Sequence, residues 1–141
     1  MMGSRNFYAA NSMELASHGY IVFSIDHHDL SNPYTEDASG QKSWKFDTSS
    51  PWFEYEDVHK KINIREKEVI SLLDEICEPD FLQKRLKFPA GVKLNLNKLI
   101  VSGQSFGAAT ALRVAKNDNR AKCVLTMDPW LMPVHKEINE G

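Results

Sequence analysis

Three observations predict a mixed α/β chain built on a short parallel sheet. Runs of β-branched and aromatic residues recur at about residues 20–26, 96–102 and 122–128. Long stretches of helical period separate them, and the second run passes straight into a glycine-bracketed turn followed by a small-residue helix. Strands that alternate with helices are expected to run parallel, because each return crosses over through a helix.

Each element follows from its own pattern. Residues 6–18 place Tyr8, Ser12 and Leu15, and Ala9, Met13 and Ala16, on adjoining helical rows, with Gly19 as the stop, so an amphipathic helix is predicted. Tyr20-Ile21-Val22-Phe23-Ser24-Ile25 suits a buried strand that ends near Asp26 in the cluster Asp26-His27-His28-Asp29. Residues 30–55 turn polar, with turn signals at Asn32-Pro33, Ser39-Gly40 and Ser49-Ser50-Pro51, and predict one long loop. Its aromatics, Tyr34, Trp44, Phe46, Trp52, Phe53 and Tyr55, either pin the loop to the body or cover an apolar substrate.

Residues 56–77 form the clearest helix. Val58, Ile62, Val69, Leu73 and Ile76 keep helical spacing, acids come early and Pro79 follows. The pairs Glu56–Lys60 and Asp57–Lys61 predict a solvated face. A short helix is predicted at about residues 81–86, then a strand at 96–102, a helix at 106–116, an Asn-Asp-Asn turn and the last strand at 122–128.

Composition excludes several classes. With 17 basic against 19 acidic residues and a net charge of −2, the chain offers no electrostatic footprint for nucleic acid. No apolar run is long enough for a membrane span or a signal peptide. Gly3 follows a methionine, but Phe7 stands where a myristoylation signal needs Ser or Thr. The cytoplasm is therefore the default expectation, with secretion open if a leader lies upstream. Cys77 and Cys123 lack metal-like spacing and read as reduced structural thiols. No metal is expected either, because the adjacent side chains of Asp26, His27, His28 and Asp29 do not easily converge on one ion. His18 reads as a helix-end residue, and His59 as lying on the polar side of the long helix. At 141 residues the chain is one domain or part of one, whereas α/β enzymes with a large sheet usually need roughly 200 or more.

The chemistry concentrates at Gly103-Gln104-Ser105-Phe106-Gly107, a G-x-S-x-G pattern between a strand and the small-residue start Ala108-Ala109-Thr110-Ala111. In that context the serine sits on a strained turn that lifts its hydroxyl above the sheet edge, and a β-carbon at Gly103 or Gly107 is expected to collide with backbone. The Phe106 N–H, at the helix N-terminus, can face a developing oxyanion. The pattern lacks the lysine and second hydroxyl of a phosphate-binding loop. Asp128 arrives at the end of the next strand, on the side of a parallel sheet where reactive groups gather. It reads as the orienter of a histidine or as a cap of the turn at Pro129.

The segments LASHGYIVFSIDHHD, GQSFGAAT and TMDPWLMP, in this order around the long loop, resemble the platelet-activating factor acetylhydrolase family of the plasma or type II kind. The resemblance implies an α/β-hydrolase fold and calcium-independent hydrolysis, without cofactor, of the short or oxidised sn-2 acyl ester of a glycerophospholipid. It implies Ser105 as nucleophile, Asp128 as catalytic acid and Phe106 as donor of one oxyanion N–H. Trp130, Leu131 and Met132 match an apolar segment beside the acyl site. The acid directly after the strand that follows the serine, inside D-x-W-x-x-P, is the specific feature, although Pro129 replaces a small residue. Asp26-His27-His28-Asp29 becomes a structural strand-end motif.

The family places its catalytic histidine some tens of residues beyond the acid, and its H-G-rich oxyanion loop just ahead of the first helix. Residues 1–141 are accordingly expected to be the central part of an incomplete hydrolase domain, without its N-terminal and C-terminal strands and without the base. His135, seven residues past Asp128, is too close in sequence to fold back readily onto Ser105. Met1 or Met2 is at best the second oxyanion donor. The expected partner is a phospholipid, presented at a membrane or lipoprotein surface. Two rivals stand beside the phospholipid esterase: a catalytically silent remnant or interaction module, and a general esterase or polyester hydrolase.

Overall fold

The computed structural model describes residues 5–32, 34–37, 39–43 and 54–139. The chain runs through α1 (Ala9–Ser17), a hairpin of β1 (Thr35–Glu36) and β2 (Lys42–Ser43), and the long α2 (Tyr55–Ile76). It continues through α3 (Phe81–Leu86), β3 (Ile100–Gln104), α4 (Phe106–Asn117), β4 (Cys123–Met127) and α5 (His135–Asn139). β3 and β4 pair in parallel, Ile100 opposite Cys123 through Gln104 opposite Met127, with α4 as the crossover. The α/β class is as the sequence predicts, and the arrangement is consistent with a partial α/β-hydrolase fold. Among the described residues, no helix is long and apolar enough to cross a membrane.

The expected third strand does not form. Residues 20–28 carry no ladder, although Ile21, Phe23 and Ile25 turn inward while Val22 and Ser24 stay exposed. The alternation of a strand is present; what is missing is a partner for its backbone among the described residues, and a strand exists only through that pairing. Similarly, residues 96–98 form a short 3-10 turn, so β3 begins only at Ile100. The apolar row of α1 buries nothing, and Met13 and Leu15 are exposed. Gly19 ends that helix in the left-handed region, φ 88°, as expected.

Two apolar clusters hold the body together. Val69, Leu73 and Ile76 of α2 pack with Phe81, Leu82 and Val114, and Ile21, Phe23, Ile25, Leu99 and Val101 close over them. Each fully buried side chain of this size contributes about 1.5–3 kcal/mol. The second cluster joins Val58, Ile62, Phe106, Ala109 and Val134, with Trp130 and Met132 against it, and lies directly beneath the start of α4. α5 is tied across by Arg113, whose guanidinium bridges Glu66 at 2.9 Å and Glu137 at 3.3 Å.

The solvated face expected on α2 is only half right. Lys60 pairs with Asp57 at 3.3 Å on the surface, but Lys61 is buried. Arg65, on the apolar row between Ile62 and Val69, is buried as well. Its Nε donates to Asp29 Oδ2 at 2.6 Å. The residues after Ile25 are thereby fastened to α2, as expected of a structural motif. Glu68 accepts the His28 backbone N–H at 3.0 Å and faces the Nδ1 atoms of His27 at 2.7 Å and His28 at 3.2 Å.

Burial alone would raise the Asp29 carboxyl, but the Arg65 charge and hydrogen bonds from Arg65 and Ser31 outweigh it and hold the group below its ordinary range. A carboxyl depressed in the folded state contributes stability that is full above the unfolded pKa and is lost as pH falls through the folded one. Asp29→Asn therefore costs about 3 kcal/mol near neutrality, because it leaves Arg65 without its counter-charge. The gap to wild type shrinks as pH drops below about 4. Urea unfolding of both proteins across that range checks this, and a gap independent of pH contradicts it.

Candidate active site

The turn from β3 into α4 is set by close backbone approach. A β-carbon built on Gly103 would stand 2.2 Å from the backbone carbon and oxygen of Gly107 and 2.7 Å from the Ala108 nitrogen. Only glycine fits there. Gly107 is different, since a β-carbon on it meets nothing within 4 Å outside its own helix. The collision expected at both glycines thus exists at one, because the tight approach is made by the strand side of the turn.

Ser105 is held at φ 53°, ψ −112°, a conformation that costs an L-residue about 1–3 kcal/mol and persists only where the surroundings impose it. Four backbone hydrogen bonds impose it from outside the sheet ladder. The Ser105 N–H donates to the Met127 carbonyl at 3.0 Å, while the Ser105 carbonyl accepts from Ala108 at 3.1 Å, from Ala109 at 3.2 Å and from Trp130 at 3.1 Å. Serine at a helix N-cap ordinarily uses its oxygen to accept from the first turn. Ser105 makes no such bond, so its hydroxyl is free of the usual structural duty. The residue is mostly enclosed, at 9% exposure.

Asp128 occupies the position of β4 that follows the Gln104–Met127 pair, level with Ser105. It too lies at positive φ, 45°, a region Asp tolerates better than most residues. Among the described residues its exposed carboxylate has no hydrogen-bond or ion-pair partner. Its backbone is bracketed by the two bonds from Met127 and Trp130 to Ser105, which brings the two sequence-predicted residues to one end of the sheet. The alternative role of Asp128, capping the turn at Pro129, has no such bond among the described residues.

Phe106 opens α4, and its N–H is one of the first-turn donors that a helix leaves without an internal acceptor. Its ring is fully buried, with the Trp130 ring edge-on at 5.5 Å and the Arg65 guanidinium 4.2 Å from its centroid. Of the segment expected beside the acyl site, Trp130 and Met132 pack on the cluster under the turn and Leu131 is exposed. Met1, Met2, Trp44, Phe46, Trp52 and Phe53 lie outside the described residues.

None of the hydrogen bonds or ion pairs of the described histidines reaches Ser105. His18 faces Glu14, and His27 and His28 face Glu68. His59 stacks near Tyr55 and points Nδ1 at Glu137, 4.0 Å away. His135 is hydrogen-bonded through Nδ1 to the Met132 carbonyl at 2.6 Å and meets the Tyr55 ring edge-on. Ser105, Asp128 and the first-turn N–H of Phe106 thus share one end of the sheet, and among the described residues no histidine is hydrogen-bonded or ion-paired to them. The residue that pattern reading passed over is Arg65. Its signal was available, because the buried row Val58, Ile62, Val69 and Leu73 has a charged residue at the position between Ile62 and Val69.

The sequence has counterparts among known proteins. The sequence model of the family described as platelet-activating factor acetylhydrolase, isoform II, matches residues 1–141. The platelet-activating factor acetylhydrolase of Cavia porcellus is 31% identical over 150 residues, covering 96% of this chain and 34% of that protein. The same enzyme of Canis lupus familiaris is 31% identical over 153 residues, 95% of this chain and 34% of the relative. That of Bos taurus is 28% identical over 151 residues, again 34% of the relative. The chain spans about a third of the length of these curated relatives.

Proposed function

This chain belongs to the family of platelet-activating factor acetylhydrolase, isoform II, and from that membership we propose that it carries the nucleophile of a serine esterase of the phospholipase A2 type. The substrate is a glycerophospholipid resembling platelet-activating factor, cleaved at a short or oxidised sn-2 acyl ester at a lipid or lipoprotein surface. The observation that carries the reading is Ser105 itself: strained, free of capping duty and level with Asp128.

In this reading Ser105 Oγ attacks the sn-2 carbonyl carbon while a histidine takes its proton. The oxyanion forms against the Phe106 N–H and the positive end of α4. The bond to the glycerol oxygen then breaks, the histidine returns the proton to that oxygen, and the lysophospholipid departs. Water attacks the acyl-serine by the same route and releases the carboxylic acid. Asp128 orients the histidine, and Trp130, Leu131 and Met132 flank the acyl chain. A serine nucleophile and backbone N–H donors leave no step that requires calcium.

The base is a histidine outside these residues, because no hydrogen bond or ion pair of the histidines described here reaches Ser105 or Asp128. The same observation favours one rival, a chain that keeps the fold without catalysing. The test compares the 141-residue chain with the longest natural product of its gene, on 1-alkyl-2-acetyl-glycerophosphocholine and its long-acyl analogue, with and without a calcium chelator. The longer protein cleaves the acetyl lipid at least about tenfold faster than the long-acyl one, unaffected by chelation. The short chain alone turns over neither. No acetyl-ester cleavage by the longer protein sustains the silent rival, equal rates on both lipids favour a general esterase, and robust turnover by the short chain refutes an external base.

A further inference from the structure

We propose that Arg65 is a positioning residue for the oxyanion donor: its guanidinium, locked by Asp29 and Ser31, is the fixed plate against which the Phe106 ring, and through it the Phe106 N–H, is held. The inference rests on the serine-esterase reading and adds a residue to it. Arg65 touches no reacting atom and acts only through Phe106.

The plate is rigid because each of its supports is rigid. Arg65 Nε donates to Asp29 Oδ2 at 2.6 Å, and Nη2 donates to the Ser31 hydroxyl. Asp29 Oδ1 in turn accepts the Ser31 backbone N–H at 3.1 Å and its hydroxyl, so carboxylate and serine brace each other before the arginine arrives. Both side chains are fully out of solvent, and Arg65 is nearly so. The central carbon of the guanidinium lies over the Phe106 ring, 4.2 Å from its centroid. Trp130 meets the same ring edge-on at 5.5 Å, and its own N–H is bonded to the Ser105 carbonyl. The residue after the nucleophile is thus fixed by a cation face from α2 and an aromatic edge from the loop after β4.

Stability alone is a poor account of this arrangement. Replacing a buried ion pair by apolar residues of similar volume is often neutral or favourable, and the neighbours Val58, Ile62 and Val69 show that this row of α2 is otherwise apolar. The geometry has a use at this place. Ser105 sits in a backbone conformation that tends to relax, and rotation there would swing the Phe106 N–H away from the oxyanion. A donor displaced by a fraction of an ångström loses much of its effect on a transition state. Lysine can keep the charge against Asp29, but it has no flat face to lay on the ring.

The experiment uses the longest natural product of the gene, assayed on para-nitrophenyl acetate, with Arg65→Lys, Arg65→Met and a Ser105→Ala control. Arg65→Lys is expected to melt close to wild type and to lose about tenfold or more in kcat with little change in KM, because only the transition state feels the displaced donor. Its rate of covalent modification by a phosphonate ester falls by the same factor. Arg65→Met loses at least as much where it folds, and where it does not, the lysine variant decides. A folded Arg65→Lys with wild-type kcat and modification rate overturns the positioning role while Ser105→Ala remains dead. If Ser105→Ala keeps its activity, the esterase reading itself has failed, and this inference with it.

Discussion

Ser105→Ala, made in the longest natural product of the gene, lowers kcat/KM on short sn-2 esters by about four to six powers of ten. The loss is this large because in the proposed mechanism the serine oxygen is the group to which the acyl chain is transferred, and water offers no comparable substitute. Replacement by alanine removes no capping hydrogen bond and leaves the four backbone bonds around the residue in place, so the melting temperature changes little. Cys123 cannot take over: it pairs with Ile100 at the opposite end of the strands, five residues or about 16 Å from Ser105 along the sheet. A fluorophosphonate probe labels the wild type on one residue and leaves the variant unlabelled. Labelling at another position, or turnover that survives the substitution, removes Ser105 from the mechanism.

Gly103→Ala abolishes the native fold, whereas Gly107→Ala is tolerated. The methyl group at position 103 would lie 2.2 Å from backbone atoms of Gly107, and neither partner in that contact is a side chain able to swing aside. Relief requires β3 and α4 to separate. That separation would strip the packing of Val101 and Val114 from the core cluster and pull the Ser105 N–H off Met127. The cost exceeds about 4 kcal/mol, a large part of the 5–15 kcal/mol that holds a typical domain together. At position 107 a methyl group has open space and the helix gains about 0.5–1 kcal/mol from the better helix former. Urea denaturation of the two variants separates the cases. A Gly103→Ala protein that unfolds at the wild-type midpoint contradicts the close approach.

Much of the site was legible along the chain because its parts are neighbours in sequence. Strand, glycine turn and small-residue helix follow one another between Ile100 and Ala111, so the local pattern carries the local geometry. The short helix Phe81–Leu86 and the stop at Gly19 were read correctly for the same reason. Residues 20–26 were not. Their alternating burial survives, but whether an extended segment becomes a strand depends on a neighbour elsewhere in the chain, which its own period does not report. Lys61 illustrates the same blindness from the other side: helical spacing gives the face of a residue, not what stands opposite that face.

By itself the sequence determined the α/β class, the run of elements from α2 to β4, the family, and the candidate nucleophile, acid and oxyanion donor, since each is encoded in spacing within a few turns or strands. Tertiary structure alone decided that Ser105 and Asp128 stand level at one end of the sheet, that Gly103 and not Gly107 is the indispensable glycine, and that Arg65 lies against Phe106 in the grip of Asp29. These are relations between residues far apart in the chain, such as Asp29, Arg65 and Phe106. They come into being only when burial of apolar surface brings separate elements together and forces the charges trapped between them to find partners.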